Sequence, residues 1–271
     1  MKTLLKLLLL TGLALITLCA VAQKQKNIVI DPSLEANSEA LKIKLGTQVM
    51  GKMAKYQFGE YAVVEGRAGR TKTSERSNLL DTRQEVKAKS NFSFVMADNA
   101  DNRATIHAFV DQEIRETREQ KLIAFFYTGE DELLLNKHNF SATIFLNKDT
   151  ANLWLLFMNR ETGSRSENTG RAFLTNGERK ILILSASSDK NGTDSRKIPA
   201  RGYELVENDR ALSALQYYGG GVLGLNKGLV WIDKQLEPPQ KLVLSSAMTA
   251  LLHLHYNELS EMDSPDFYDD W

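Results

Sequence analysis

The chain has 271 residues, of which 42% are apolar and 8% aromatic, which is enough for the core of one large or two small domains. Basic and acidic residues number 34 each, so the chain lacks the basic excess that nucleic-acid binders use to neutralise phosphates. A charged fraction of 25% excludes a membrane-protein composition for everything except the N-terminus.

The N-terminus has the pattern of an export signal. Lys2 and Lys6 precede an apolar run over residues 7–22, which ends in Ala20-Val21-Ala22. This pattern predicts a signal peptide over residues 1–22 and a mature chain that begins at Gln23. The alternatives are an uncleaved anchor and lipidation at Cys19, although bulky Leu18 is unfavourable for lipidation. We therefore expect a periplasmic or extracellular protein without a transmembrane span after cleavage.

Signal cleavage also removes the only cysteine, Cys19. A cysteine-free mature chain excludes disulfides, thiol nucleophiles and thiolate metal sites. An exported chain without disulfides depends on its hydrophobic core, which favours a sizeable folded domain.

Residues 23–49 form a predicted N-terminal lead-in. It contains a short apolar strand over residues 27–30, and Asp31-Pro32-Ser33 is typical of the start of a short helix.

Residues 50–257 are predicted to form a single β-rich domain. Short β-branched and aromatic runs are separated by Gly, Asn or Asp, which is typical of an antiparallel sheet protein. The predicted strands are residues 56–65, 91–97, 103–110, 122–127, 140–146, 153–158, 171–175, 180–185, 203–207, 211–218 and 229–233.

Three turns predict hairpins. They lie at residues 98–102, at residues 147–150 and at Asn176-Gly177, where Asn, Asp and Gly tolerate the left-handed backbone of tight turns. The continuous apolar run over residues 153–157 predicts a strand buried on both faces. Residues 66–89, 163–170 and 187–200 are predicted loops.

A helix over residues 241–256 follows Pro238-Pro239. Residues 242–254 carry no charge and show no polar face, so the helix must be enclosed on all sides. It is too short to cross a bilayer, which takes roughly 20 residues, so we expect protein to surround it.

In this organisation the chain resembles the Tubby C-terminal-like superfamily, which includes scramblase-like proteins. The resemblance covers residues 56–254, with Tyr56-Gln57-Phe58-Gly59-Glu60 in an early strand and Leu229-Val230-Trp231-Ile232 in the last. It implies a closed antiparallel barrel of about twelve strands around the hydrophobic helix. No residue here matches the family's phosphoinositide-binding or metal-binding positions, so its lipid-related functions are not transferred.

The alternative fold is an open sheet or β-sandwich with a packed C-terminal helix. The side chains expected in the core of either fold are Trp154, Leu156, Phe157, Ile181, Ile183, Trp231, Leu244, Met248 and Leu251.

No motif predicts a catalytic, cofactor or metal site. The four histidines are His107, His138, His253 and His255. The last two are two residues apart, which places them on different faces of a helix. We expect one buried and one exposed imidazole there. The chain has no Gly-x-Ser-x-Gly elbow.

The remaining clusters favour structural roles. Gly219-Gly220-Gly221 lacks the spacing of a phosphate-binding loop and predicts a bend. Asp98, Asp101 and residues 130–132 lack calcium-loop spacing. Basic residues at 67–72 and 115–121 predict solvated loops. The acidic, aromatic tail over residues 258–271 either folds back on the barrel, the favoured alternative, or docks on a partner.

The sequence thus favours an exported, non-enzymatic, envelope-associated binding or interaction module with no cofactor. Its partner is an unknown envelope protein or lipid, and nucleic acid is excluded. The alternatives are a secreted hydrolase with a carboxylate pair on residues 98–102 or 129–132, and a carrier of lipids or other small hydrophobic molecules.

Overall fold

A computed structural model describes residues 27–46, 52–77, 83–117, 120–123, 126–128, 132–147, 149–163, 170–189, 199–219 and 228–262. The predicted signal peptide and residues 263–271 lie outside these ranges. Among the described residues, no helix combines the length and apolar character that a membrane crossing requires.

The chain is mainly β, with a short helix near its start and a long one near its end. The helices are α1 (Pro32–Asn37) and α2 (Pro238–Met262). The strands are β1 (Leu41–Lys42), β2 (Lys44–Leu45), β3 (Tyr56–Phe58), β4 (Tyr61–Ala68), β5 (Lys72–Ser77), β6 (Arg83–Ala97), β7 (Arg103–Thr117), β8 (Gln120–Ile123), β9 (Phe126–Thr128), β10 (Glu132–Leu146), β11 (Asp149–Thr162), β12 (Gly170–Thr175), β13 (Lys180–Ser187), β14 (Arg201–Glu207), β15 (Arg210–Tyr218) and β16 (Leu229–Ile232).

Fourteen strands form one antiparallel sheet that is nearly closed into a barrel. The hydrogen-bonded order is β1-β16-β15-β14-β13-β12-β11-β10-β7-β6-β4-β3-β2, with β5 paired to β6 outside this path. The two end strands are separated along the chain by Ile43 alone. Leu41 pairs with Val230 of β16, and Leu45 pairs with Tyr56 of β3. The residues between α1 and β3 therefore join the two edges of the sheet.

The three predicted hairpins are confirmed. They join β6 to β7, β10 to β11, and β12 to β13. In the first, Asp98 shapes the turn, because its Oδ1 accepts hydrogen bonds from the backbone N–H groups of Ala100 and Asn102, each at 2.9 Å. Asp101 takes a left-handed backbone conformation with φ of 60°, as expected for an Asp in a tight turn.

The long C-terminal helix lies inside the barrel, which confirms the predicted fold class. Fourteen consecutive residues from Leu242 to His255 are buried, and they share one core with side chains from strands all around the sheet. Small side chains on the helix let its backbone lie close to the surrounding strands. The Ser246 hydroxyl bonds back to the Leu242 carbonyl at 2.7 Å, which satisfies a polar group inside an apolar core. The helix starts three residues earlier than predicted, because proline fits a first helical turn. It also ends six residues later than predicted.

A second, smaller core lies on the outer face of the barrel. Ile28, Ile30 and Leu34 are buried against Ala214 and Trp231 of the sheet. Asp31 caps α1 by accepting a hydrogen bond from the Ser33 N–H at 2.8 Å. The predicted helix is confirmed. The predicted strand over residues 27–30 is not part of the sheet, although the Val29 N–H donates to the Ser187 carbonyl at 3.1 Å.

Three further predictions about the strands are wrong. Residues 66–89 are not a loop: within the described residues they form the end of β4, all of β5 and the first half of β6. The predicted strand at residues 122–127 is two strands, β8 and β9, paired with each other.

The third error concerns β11, which is buried on one face only. Trp154, Leu156 and Met158 point into the core, whereas Leu155 and Phe157 are 45% and 37% exposed. Phe157 is therefore wrongly assigned to the core. The other expected core residues are buried.

Candidate functional site

Four strands are much longer than the rest and continue past the body of the barrel. β6, β7 and β10 have 15 residues each and β11 has 14, whereas β12 to β16 have four to nine. β5 pairs with the first half of β6. We call the projecting part the extended sheet, and it consists of residues 72–77, 83–91, 110–117, 132–139 and 159–162.

A glycine makes the passage from β4 to β5 possible. The Gly69 N–H donates to the Asn91 carbonyl oxygen at 2.7 Å. A Cβ atom at Gly69 would lie 2.3 Å from that same oxygen, a distance that no side chain allows. Gly69 thus keeps the β4–β5 segment against β6 at the edge of the barrel.

The extended sheet, residues 68–71 and the end of α2 line a partly open cavity of about 440 Å³, which we call the rim pocket. Among the described residues, its lining contains no Asp, Glu, Lys or Arg. Apolar side chains and uncharged polar side chains both line the pocket. A ligand would therefore find apolar surface and hydrogen-bonding groups in the same cavity. The lining includes Val86, Ala88, Phe92, Gln112, His138 and His253.

His253 is the most buried titratable group of the pocket, with 2% of its surface exposed. Its Nδ1 lies 3.0 Å from the Tyr56 hydroxyl, and its Nε2 lies 3.4 Å from the Asn257 amide nitrogen. Phe92 packs edge-on against the ring at 4.6 Å. Burial lowers the pKa of His253 to about 4 and raises that of Tyr56, to which the charge of Tyr256 also contributes. His253 is therefore neutral at physiological pH.

His255 faces the opposite side of the barrel. Its Nε2 lies 2.8 Å from the Tyr203 hydroxyl, and its ring stacks on Tyr217 with 3.9 Å between centroids. The two histidines therefore lie on different faces, as predicted. The prediction of one exposed imidazole is wrong, because His255 is only 5% exposed. The barrel still encloses the helix at this position.

The other two histidines lie on opposite faces of the sheet. His138 is 6% exposed and lines the rim pocket, while His107 lies on the outer face against Phe145, with 6.4 Å between ring centroids. Across the described part of the chain, no three His, Cys, Asp or Glu side chains come together as a metal site would need.

The acidic candidates lie away from the rim pocket. The Asp98 carboxylate accepts hydrogen bonds from within its own turn. The Asp101 Oδ1 accepts a hydrogen bond from the Arg103 Nε at 3.0 Å. Glu132 starts β10 and is exposed, while residues 129–131 lie outside the described residues. Of the glycine cluster, Gly219 is buried, and residues 220–227 also lie outside.

The two basic clusters differ in their pairing. Arg115 pairs with Glu113 and, at 3.7 Å, with Glu85, on the outer face of the extended sheet. Arg67, Arg70 and Lys72 are exposed along the β4–β5 edge, and none of them has an ion-pair partner in the described ranges. This edge therefore carries free positive charge beside the rim pocket.

An apolar row crosses the outer face of β11, β12 and β13. Phe157 lies opposite Phe173, and Phe173 lies opposite Leu182. The two rings are 5.6 Å apart between centroids. Leu155 and Leu184 extend the row, and both are more than 40% exposed. Some of the apolar residues that the sequence assigns to the core thus form an external surface.

Comparison with protein-family models, curated proteins and solved structures finds no match to this chain.

Sequence reasoning missed the rim pocket because its lining comes from six segments of the chain. One local signal was present: the alternation of Phe92, Phe94 and Met96 continues backwards into Ser90, Ala88 and Val86. Small side chains at these inward positions leave space that the aromatic rings fill further along the strand.

Proposed function

We propose that the chain is an exported, non-enzymatic binding module that holds a small uncharged molecule in the rim pocket. The supporting observation is the lining, in which uncharged polar groups and apolar surface surround about 440 Å³ without one ionised side chain. A volume of this size suits a drug-sized ligand.

An uncharged lining selects against ions. A charged ligand would lose its hydration without gaining a partner, and the cost of burying an unpaired charge is large. A neutral ligand with hydroxyl or amide groups would instead meet hydrogen-bonding side chains such as Gln112, His138 and Asn257. We therefore assign the ligand to neutral molecules with both polar and apolar parts.

The position of α2 limits where a ligand can bind. Leu242 to His255 occupy the interior of the barrel, so the interior is not an empty cavity of the kind that small barrel carriers use. A rim site on a filled barrel distinguishes this proposal from the carrier alternative. Membership of the Tubby-like superfamily and export remain predictions, which rest on the sequence patterns alone.

A binding screen tests the proposal. Matched sets of neutral, cationic and anionic small molecules are compared by ligand-observed NMR. We expect the neutral set to bind the wild type. Ala88 lies between its cross-strand partners Thr73 and Gln112, so Ala88→Phe places a ring inside the pocket. This change should weaken binding at least about tenfold, which corresponds to about 1.4 kcal/mol.

The matched control is Lys89→Phe, which puts the same ring on the exposed face of the same strand. This variant should bind like the wild type. Equal binding by Ala88→Phe and Lys89→Phe would place the site elsewhere, and preferential binding of the charged sets would contradict the proposed ligand class.

A further inference from the structure

The end of α2 brings the C-terminal tail to the rim pocket. Leu254 and Asn257 line the pocket, and α2 ends at Met262. Residues 263–271 follow outside the described residues. Five helical residues advance the chain by about 7.5 Å, while nine extended residues reach about 30 Å. The tail is therefore long enough to return to the pocket.

The tail and the pocket edge have opposite charges. Residues 263–271 contain four Asp and no basic residue. Arg67, Arg70, Lys72 and Arg76 are exposed along the β4–β5 edge and outnumber its two exposed acids, Glu65 and Glu75. Within the described ranges these four basic residues have no ion-pair partner. In contrast, Lys87, Lys89 and Arg115 on the neighbouring strands all pair with acids.

The tail also carries the rings that an uncharged pocket would accept. Phe267 and Tyr268 are flanked by Asp266, Asp269 and Asp270. Aromatic burial supplies the binding energy in such an arrangement. Exposed ion pairs at the edge add roughly 0–1 kcal/mol each and mainly set the orientation.

We propose that residues 263–271 occupy the rim pocket within the same chain, with Phe267 and Tyr268 inside and the aspartates on the β4–β5 edge. The tail then competes with the ligand. This inference rests on the proposed binding site and concerns how access to it is regulated.

Disulfide trapping tests the inference in the full chain. With Cys19 replaced by Ser, Ser264→Cys, which keeps both rings and all four Asp of the tail, is combined with Thr73→Cys at the lining of the pocket. The control combines Ser264→Cys with Lys89→Cys, on the outer face of the adjacent strand. A docked tail raises the effective concentration of one thiol at the other. We therefore expect the disulfide with the cysteine at position 73 to form at least about tenfold faster than the disulfide of the control. High salt should slow its formation, because it screens the charges that orient the tail.

Equal closure rates for the two pairs, or no closure of the Thr73 pair, would overturn the inference. Thermal melting of the reduced proteins checks that both variants fold. A second measurement separates this inference from the proposed function: the neutral set is screened against Phe267→Ser/Tyr268→Ser. Tighter binding than to the wild type supports competition by the tail, and unchanged binding contradicts it. No binding even to this variant would overturn the proposed ligand site, and the trapping result would still report where the tail lies.

Discussion

His253 shows how one residue joins the core to the rim pocket. Its ring contacts Tyr56 and Phe92 on one side and lines the pocket on the other. When the Asn257 amide donates to Nε2, the ring proton lies on Nδ1 and is donated to the Tyr56 oxygen. Protonation of Nε2 would place an unpaired charge in the pocket, and for this reason the neutral form is favoured.

The depressed pKa predicts acid sensitivity. The folded protein takes up the His253 proton near pH 4, whereas the unfolded chain takes it up near pH 6.5. As the pH falls through this window, the unfolded state binds more protons, so His253 lowers the free energy of unfolding by up to about 3 kcal/mol.

Urea unfolding of the wild type, His253→Gln and His107→Gln at pH 7 and pH 4.5 measures this effect. The exposed His107 is the matched control. We expect His253→Gln to lose less stability on acidification than the other two proteins. The same loss in all three would show that His253 does not contribute.

At the scale of elements, hairpin turns and the C-terminal helix were predictable because their signals are local. Asn and Asp mark the turns, and the uncharged, largely apolar run over residues 242–254 has few alternatives to a buried helix. The run over residues 153–157 was misjudged because a continuous apolar strand does not reveal whether both faces are buried. The pairing of the strands in the folded sheet places Phe157 and Phe173 on the outer face of the barrel.

The alternation along β11 is tested by a pair of adjacent substitutions. Leu156 is 1% exposed and Leu155 is 45% exposed. We expect Leu156→Ala to lower the free energy of unfolding by about 2–5 kcal/mol through the lost contacts and the cavity, and Leu155→Ala by less than about 1 kcal/mol. Chemical denaturation of both variants provides the comparison. Similar losses would mean that both faces of β11 are covered in solution.

The extended sheet was not predictable from residues 66–89. Between Arg67 and Lys89 the chain has few large apolar residues, because these strands project beyond the main core. These strands are held together by backbone hydrogen bonds to their neighbours. Ion pairs on the outer face, such as Lys87 with Glu85 at 2.8 Å, accompany this pairing. Hydrophobic periodicity, the main sequence signal for strands, is therefore absent where the candidate site lies.

At the scale of the molecule, closure of the barrel depends on a short segment. The Ile43 N–H donates to the Gly228 carbonyl on one side at 3.0 Å, and the Gly46 N–H donates to the Lys55 carbonyl on the other at 2.7 Å. The sequence assigned this segment to a lead-in, since residues 41–45 are too few to show a period. Residues 41–45 close the barrel through pairing with distant strands, and local sequence patterns do not encode such pairing.

The described part of the molecule thus combines a filled barrel with a cavity between the extended sheet and α2. We propose that this rim pocket binds an uncharged ligand. The most direct measurement is native mass spectrometry of the exported wild type and Ala88→Phe, before and after solvent extraction. We expect an extractable neutral mass on the wild type that Ala88→Phe lacks. The same adduct on both proteins, or a bare chain in both, would contradict it.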